Sequence, residues 1–241
     1  MKKRLIYLVI FFILFSMLYI FFPKPKEYIE CFNPIVDEVE LVAEFASIKD
    51  IEDNSKGIGV ISFKIDDYLY GIGHNAKFNN TKKLSAYKIL PNFTYSYKDN
   101  IGEVTIGSEL NEKMGTIISK DGNGIIVKSE LLDNKSYSKI KVADKIFSGD
   151  AELLIRDETG KINYYSINIK INEKFKSTCF DITITDKKLL DKIGGILQGM
   201  SGTPIIQNGK LVGILTGVYV RRPWCGKGKI IWDYDCIKIK K

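Results

Sequence analysis

Apolar and polar residues alternate over short distances along most of the chain after residue 57. The segments rich in β-branched and aromatic residues are separated by turn signals such as Asp121-Gly122-Asn123-Gly124 and Thr159-Gly160. This pattern is typical of β-strands. Strands are therefore predicted at 58–65, 68–73, 101–106, 115–118, 124–127, 138–142, 151–155, 161–171, 178–185, 204–207, 210–220 and 229–233.

One short helix is predicted in this region, at residues 187–193. It begins after Thr185-Asp186 and ends at Gly194-Gly195, which are typical start and stop signals. As the N-cap residue, Asp186 is expected to accept a hydrogen bond from an amide of the first turn. Many short strands without long helices indicate an all-β protein, either barrels or a sandwich, and two six-stranded barrels fit the number of strands.

The beginning of the chain follows a different pattern. Residues 5–22 form an apolar run of 18 residues without a charge, about long enough to cross a hydrocarbon core of about 30 Å. Such a run could also be the core of a signal peptide. It ends in Ile20-Phe21-Phe22-Pro23, however, without the small residues of a cleavage site. The pattern therefore predicts an uncleaved transmembrane anchor.

The anchor divides the chain into four parts. Residues 1–4 are basic and are expected to stay in the cytoplasm by the positive-inside rule, which leaves the rest of the chain outside. Pro23-Lys24-Pro25-Lys26 cannot continue the helix, so residues 23–44 are predicted to be a stalk. Residues 45–241 are then the folded domain.

Charge changes this picture little. The net charge of the 241 residues is +7, but five of the basic residues flank the apolar run. Without these five, 31 basic and 29 acidic residues remain. No stripe of Arg or Lys is interleaved with aromatic residues, so the sequence indicates no nucleic-acid partner.

A serine in a glycine-flanked turn is the clearest candidate for chemistry. Ser201 lies in Gly199-Met200-Ser201-Gly202-Thr203-Pro204, and the two glycines permit backbone conformations that a Cβ resists. Such a turn presents the Ser201 hydroxyl and points the amides of Gly199 and Ser201 to one side, as an oxyanion hole requires. Asn208-Gly209 then predicts a hairpin that places the strand from Leu211 to Val218 beside the serine.

The chain contains one histidine, His74, which precedes Ser201 by 127 residues. Histidine is the usual general base for a serine nucleophile. With a single histidine, and no Cys-x-x-Cys pair, an ordinary metal site is not expected. An even number of cysteines (Cys31, Cys179, Cys225 and Cys236) permits disulfides in three pairings. Cys225 with Cys236 could close the last turn, and unpaired thiols are the alternative.

Three stretches carry a resemblance to a known family: Gly57-Ile58-Gly59-Val60-Ile61-Ser62-Phe63, Gly73-His74, and residues 194–210 with Thr216, Val218, Val220, Pro223, Gly226, Gly228 and Trp232. They closely resemble the peptidase domain of the sporulation stage IV protein B (SpoIVB) family of chymotrypsin-like serine peptidases. The resemblance covers roughly residues 45–235. It implies a double β-barrel and a membrane-anchored peptidase that signals between the compartments of a sporulating bacterium.

The resemblance also implies a mechanism and a substrate. Ser201 is the expected nucleophile, His74 the base and Asp186 the residue that orients His74. Leu215, Thr216 and Gly217 are the expected substrate-pairing residues, and no cofactor or metal is implied. The expected substrate is an extracytoplasmic protein, such as a regulator of an intramembrane protease, in the space around a forespore. Members usually carry a PDZ domain before the peptidase, which is expected to be missing here because only about twenty residues separate anchor and peptidase.

Two alternatives remain open at this stage. The third catalytic residue is either Asp186, which also has a capping role, or Asp121, whose place in an Asp-Gly turn explains it otherwise. The whole domain could instead be a membrane-anchored binding or scaffold protein that has kept the fold without the activity. The position of the only histidine at the family motif argues against this second alternative.

Overall fold

The computed structural model describes residues 28–30, 36–50, 56–74, 84–96, 101–121, 124–131, 137–171 and 178–231. These residues form strands and one helix: β1 (Tyr28–Glu30), β2 (Glu38–Asp50), β3 (Lys56–Ile65), β4 (Tyr68–His74), β5 (Leu84–Ser96), β6 (Ile101–Asp121), β7 (Gly124–Ser129), β8 (Ser138–Lys141), β9 (Lys145–Phe147), β10 (Gly149–Arg156), β11 (Ile162–Lys170), β12 (Cys179–Ile184), α1 (Lys187–Ile193), β13 (Pro204–Gln207), β14 (Lys210–Tyr219) and β15 (Arg222–Ile230).

Twelve of the described strands form two six-stranded antiparallel barrels, and β1 pairs with β9 in a separate two-stranded sheet. The first closes in the order β2-β3-β4-β7-β6-β5, with β8 added along β2, and the second closes in the order β10-β11-β12-β15-β14-β13. When the six strands of each barrel are numbered by their order along the chain, both barrels have the circular order first-second-third-sixth-fifth-fourth. The sequence shows no internal repeat, so this shared topology emerges only from the strand pairing. Closure leaves no long exposed edge on either sheet.

The double barrel predicted from the sequence is thus confirmed. A large hydrophobic cluster fills the second barrel and includes Phe45, Val60, Ile89 and Val104 of the first barrel. A second cluster lies within the first barrel and includes Ile61 of β3, Leu69 of β4 and Met114 of β6. Because the larger cluster draws residues from both barrels, the two barrels share a continuous apolar contact.

Local signals placed several elements correctly. The turn between β13 and β14 has positive φ at Asn208 (53°) and Gly209 (72°), the combination that a type I′ hairpin turn requires. Helix α1 spans the predicted residues, with Asp186 as N-cap and Gly194 as C-cap at φ 73°. The left-handed C-cap is the conformation that glycine adopts at low cost.

Long-range pairing changes other parts of the prediction. β5 was not predicted, and the two strands predicted at 101–106 and 115–118 are parts of one strand, β6, of 21 residues with register shifts against β5. β15 begins at Arg222, seven residues before the predicted strand at 229–233. Close packing explains why this strand contains a glycine at position 228, because a Cβ there would lie 2.3 Å from Cε2 of Phe180.

The beginning of the domain also differs from the predicted boundary. β2 starts at Glu38, within the segment assigned to the stalk (23–44), and pairs with β3, β5 and β8. Residues 38–44 are therefore part of the first barrel. The predicted anchor at residues 5–22 lies outside the described residues. Within the described ranges, no helix has the length and apolar character needed to cross a membrane.

Candidate active site

The turn that carries Ser201 has the backbone conformation expected from its glycines. Gly199 has a φ of 94° and Gly202 a φ of 96°, both in the left-handed region. The turn joins the segment after α1 to β13, and Ser201 is 7% exposed. The hydroxyl of Thr203 donates a hydrogen bond of 2.5 Å to the carbonyl of Met200, which closes the turn on itself.

The same turn is fastened to the first barrel. The amide of Val60 in β3 donates to the carbonyl of Ser201 at 2.9 Å, and the hydroxyl of Ser62 donates to the carbonyl of Gly202. A Cβ on Gly202 would lie 2.2 Å from the Val60 carbonyl oxygen, so only glycine permits this approach. The Ser201 turn of the second barrel is therefore positioned directly on a strand of the first.

This contact brings the serine turn to the end of β4, where His74 lies. In the β3–β4 pair, Ile58 is opposite His74 and Val60 is opposite Ile72. A Cβ on Gly199 would lie 3.4 Å from Cγ2 of Ile58, so the turn covers the part of β3 whose partners are the last residues of β4. Strands lie about 4.8 Å apart, so the end of β4 that carries His74 lies beside the part of β3 that contacts the serine turn. The His74 side chain lies outside the described structure.

Two backbone amides of the turn remain available for a ligand. The amides of Gln198, Met200, Gly202 and Thr203 donate to the carbonyls of Gly102, Leu197, Leu215 and Met200, in that order. Among the described residues, the amides of Gly199 and Ser201 have no such acceptor. These are the two amides that the sequence assigns to an oxyanion hole, and available donors are what such a hole requires.

Strand β14 has an open edge beside Ser201. β13 pairs with β14 only as far as Ile214, and Leu215 then exchanges hydrogen bonds with Thr203 and Gly202. Within the described part of the chain, no strand covers the continuation of this edge at residues 216–219. The Ser201 hydroxyl lies 3.4 Å from the carbonyl oxygen of Thr216, so the edge begins beside Ser201.

Gly217 leaves space along this edge. A Cβ at this position would meet no atom within 4 Å. The sequence assigned Leu215, Thr216 and Gly217 to substrate pairing. Leu215 is buried and bonded to the serine turn, whereas Thr216 and Gly217 lie on the uncovered part of the strand.

Asp186 lies in the second barrel and is engaged with the backbone there. Its Oδ1 accepts a hydrogen bond from the Leu189 amide at 3.0 Å, and Oδ2 lies 3.5 Å from the Ser166 amide. The capping role predicted for Asp186 is thus confirmed, while its orienting role toward His74 stays a prediction. Asp121 ends β6, opposite Gly124 of β7, and its side chain lies outside the described structure.

The cysteines and possible metal ligands add no further group to this site. Cys179 and Cys225 are unpaired thiols, so the pairing of Cys225 with Cys236 is not formed; Cys31 and Cys236 lie outside the described residues. In the described ranges, no cluster of three or more His, Cys, Asp or Glu residues could hold a metal ion.

Comparison with known proteins decides the family. The family model of SpoIVB peptidase S55 matches residues 50–233, well over half of the chain. The protein belongs to the SpoIVB peptidase family. As a member, it is a serine endopeptidase, which confirms the resemblance seen in the sequence. A search of the curated proteins found no match to the chain.

Solved structures with a similar arrangement include several proteases, each with low sequence identity to this SpoIVB-family peptidase. The Rv3671c protease of M. tuberculosis, in its active form, is 14% identical over 78% of this chain and 76% of its own, with a TM-score of 0.46. A Glu endopeptidase in complex with MPD is 13% identical over 88% and 97%, with a TM-score of 0.47. A thermostable serine protease AL20 from an extremophilic microorganism is 9% identical over 78% and 91%, with a TM-score of 0.46.

Sequence reasoning missed two polar groups that connect the two barrels of this SpoIVB-family peptidase, and the first of them holds the serine turn. The first is Ser62, a fully buried hydroxyl in an apolar strand that holds the carbonyl of Gly202. A polar residue within the run Gly57–Phe63 was the only available signal. Buried polar groups in such strands are usually hydrogen-bonded, but the sequence does not reveal the partner.

The second group is an ion cluster between the barrels. Glu44 of β2 is 2% exposed, and its carboxylate lies 2.7 Å from Nζ of Lys88 and 2.9 Å from Nε of Arg156 in β10. The guanidinium of Arg156 also donates to the carbonyls of Val42, Ala43 and Gly160. Arg156 thus joins its own barrel to the bulged part of β2, where Ala43 has a φ of 48°.

Proposed function

We propose that this serine endopeptidase is anchored in the cytoplasmic membrane and cleaves a protein substrate on its outer side. The proposal extends to a sporulation signal, in which cleavage of a regulator starts intramembrane proteolysis in the space around a forespore. Its support is the family of the peptidase domain, together with the charge-free run at residues 5–22, which is preceded by Lys2, Lys3 and Arg4.

Catalysis follows from the position of the serine turn. The observation that carries it is the contact of Gly199 and Ser201 with the part of β3 that pairs with the end of β4. Ser201 Oγ attacks the peptide carbonyl carbon, and its proton passes to His74. The amides of Gly199 and Ser201 bind the oxyanion that forms.

The two halves of the reaction then use the same groups. His74 returns the proton to the leaving amine, and the acyl group stays on Ser201 as an ester. Water, deprotonated by His74, releases the acyl group and restores the serine hydroxyl. In this scheme Asp186 orients His74 and stabilises its cationic form. The substrate lies in extended conformation along Thr216 and Gly217.

A fluorophosphonate probe tests the catalytic part of the proposal. The probe forms a covalent bond only with an activated serine, so we expect one adduct, which peptide mapping places on Ser201. His74→Ala is expected to abolish labelling, because the chain has no other imidazole. Ser148→Ala is the control, since Ser148 lies between β9 and β10 and binds the Ile171 amide. A folded protein without the adduct on Ser201 would favour a binding or scaffold role.

Membrane anchoring needs a separate measurement. The full-length chain is expected to remain in the membrane fraction after washing with high salt or alkaline buffer, because an 18-residue charge-free run is not released by either treatment. A mature protein that begins near residue 23 in the soluble fraction would show that the run is a cleaved signal peptide. Cleavage of a candidate regulator by the wild type but not by Ser201→Ala would test the substrate.

A further inference from the structure

The end of the β14–β15 hairpin forms an exposed surface that combines positive charge with aromatic and apolar groups. We define the basic hairpin as residues 219–224. Arg221 and Arg222 are both exposed, and so are Val220 (50%) and Trp224 (44%). Neither arginine forms an ion pair with any carboxylate of the described residues. Large exposed apolar side chains beside unpaired charges are typical of binding surfaces.

Tyr219 gives this surface a defined arrangement. Its hydroxyl donates a hydrogen bond of 2.7 Å to Oδ1 of Asp181 on β12, beyond β15 in the barrel, which raises the pKa of Tyr219 to about 12. The guanidinium carbon of Arg222 lies 5.6 Å from the Tyr219 ring centre, and Nζ of Lys227 lies 5.9 Å from it. Cation–π attraction at these distances favours a fixed position for both cations.

The basic hairpin is also held against the serine turn. The amide of Ile196 donates to the carbonyl of Pro223 at 2.8 Å. A Cβ on Gly195 would lie 2.5 Å from the same carbonyl oxygen, so the two backbones are in direct contact. Since Ile196 precedes Ser201 by only five residues, the hairpin has a fixed position relative to the nucleophile.

The open edge of β14 leads from the nucleophile to this surface. The edge begins at Thr216, beside Ser201, and runs toward Val220 at the hairpin end. At about 3.4 Å per residue, these four steps cover roughly 13 Å. A substrate strand that pairs antiparallel to β14, the more stable orientation, has its cleaved bond at Ser201. Its residues before that bond run back along the edge toward the basic hairpin.

We propose that the basic hairpin is an extended subsite that binds acidic side chains of the protein substrate, about four to six residues before the cleaved bond. This inference rests on the proposed function of the site. Arg221 and Arg222 supply the charge, and Trp224 and Val220 contact the apolar parts of the same segment. The occupant is a peptide segment because the surface continues the edge that starts at Ser201 and is bonded to the serine turn.

Binding of two labelled peptides to full-length Ser201→Ala protein in detergent micelles tests this subsite without requiring turnover. The peptides share a cleavable sequence selected from a library and carry either Glu or Lys at the fourth to sixth positions before the cleaved bond. Fluorescence anisotropy is expected to show roughly tenfold tighter binding of the Glu peptide, since each exposed ion pair contributes a few-fold. The preference is expected to shrink at high salt.

Charge reversal provides the decisive comparison. Arg221→Glu/Arg222→Glu is expected to reverse the preference, and Arg221→Gln/Arg222→Gln to abolish it, if the subsite exists. Lys128→Glu/Lys161→Glu is the matched control: both lysines are exposed, it changes the net charge equally, and the preference for Glu is expected to remain. Equal binding of both peptides to the Ser201→Ala protein, or an unchanged preference after reversal, overturns the subsite.

Labelling by the fluorophosphonate probe separates this inference from the proposed function. The reversed variant, with Ser201 intact, is expected to be labelled at the wild-type rate, because the small probe does not reach the hairpin. Equal binding of the two peptides by the Ser201→Ala protein, which keeps both arginines, together with normal labelling of the protein with intact Ser201, overturns the subsite alone. A retained preference in a protein that is never labelled keeps the hairpin as a binding surface and rejects catalysis. If the two arginines bind phosphatidylserine vesicles but not the Glu peptide, the hairpin is a membrane-binding surface and the subsite is overturned.

Discussion

The ion cluster between the barrels offers a prediction whose magnitude follows from its burial. Arg156→Met removes one of the two countercharges of the Glu44 carboxylate, which is 2% exposed. It also removes the guanidinium that donates to the carbonyls of Val42, Ala43 and Gly160. Methionine fills much of the volume of the arginine stem, so the change tests charge and hydrogen bonding more than packing.

The expected loss lies at the lower end of the range for a broken buried pair. Removal of one partner from a buried ion pair costs about 3–5 kcal/mol, and Lys88 still lies 2.7 Å from Glu44 as a second countercharge. We therefore expect the free energy of unfolding to fall by about 3 kcal/mol. For a domain of this size, that corresponds to a decrease of roughly 6–12 °C in melting temperature.

Chemical denaturation of the full-length protein in detergent measures this loss, with Lys210→Met as the control. Lys210 pairs with Asp144 at 3.2 Å, but their side chains are 43% and 59% exposed. An exposed pair contributes only about 0–1 kcal/mol. If Arg156→Met costs no more than Lys210→Met, the reasoning from burial is refuted.

Three further predictions concern the edge strand, the helix cap and a turn. Gly217→Val is expected to keep the melting temperature and the labelling by the fluorophosphonate probe. It is expected to lower kcat/KM for peptides about tenfold, the equivalent of roughly one hydrogen bond. Unchanged peptide kinetics would exclude Gly217 from the substrate edge. Asp186→Asn is expected to keep the fold, because asparagine also caps helices, and to lower kcat about 10⁴-fold as the orienting role requires; full activity would leave Asp186 with its cap alone. Hydrogen bonds, chiefly from the Thr159 hydroxyl, hold the pKa of Asp157 well below its usual range. Asp157→Asn is therefore expected to lower the free energy of unfolding by its full amount above about pH 4. The difference from wild type is expected to shrink as the pH falls further. Unfolding curves at several pH values measure this difference.

Local chemistry in the sequence accounts for the elements that were predicted correctly. Asn208-Gly209 specifies its hairpin because both residues adopt positive φ at low cost. Asp186 specifies the start of α1 because its carboxylate binds an amide three residues later. The glycines around Ser201 likewise predict a turn with left-handed residues. Each of these interactions involves neighbouring residues, so the order of residues contains the information.

The membership of strands was less accessible because it depends on partners far along the chain. β5 contains Pro91 and several polar residues, and its strand character comes from pairing with β6 and β2. β15 contains glycines, which in the sequence indicate a loop. In the structure the Phe180 ring of β12 occupies the space that a side chain at Gly228 would need. Propensity describes one segment, whereas a barrel is closed by contacts between segments.

The sequence by itself determined the turn around Ser201, the candidate base and the family. Only the tertiary structure decided what surrounds them: Val60 and Ser62 hold a turn that lies about 140 residues later in the chain. The open edge of β14 and the basic hairpin were equally invisible, because an edge exists only when the strands on both sides are known. The physical reason is that backbone conformation is chosen by nearby residues, while burial and pairing are chosen by the whole fold.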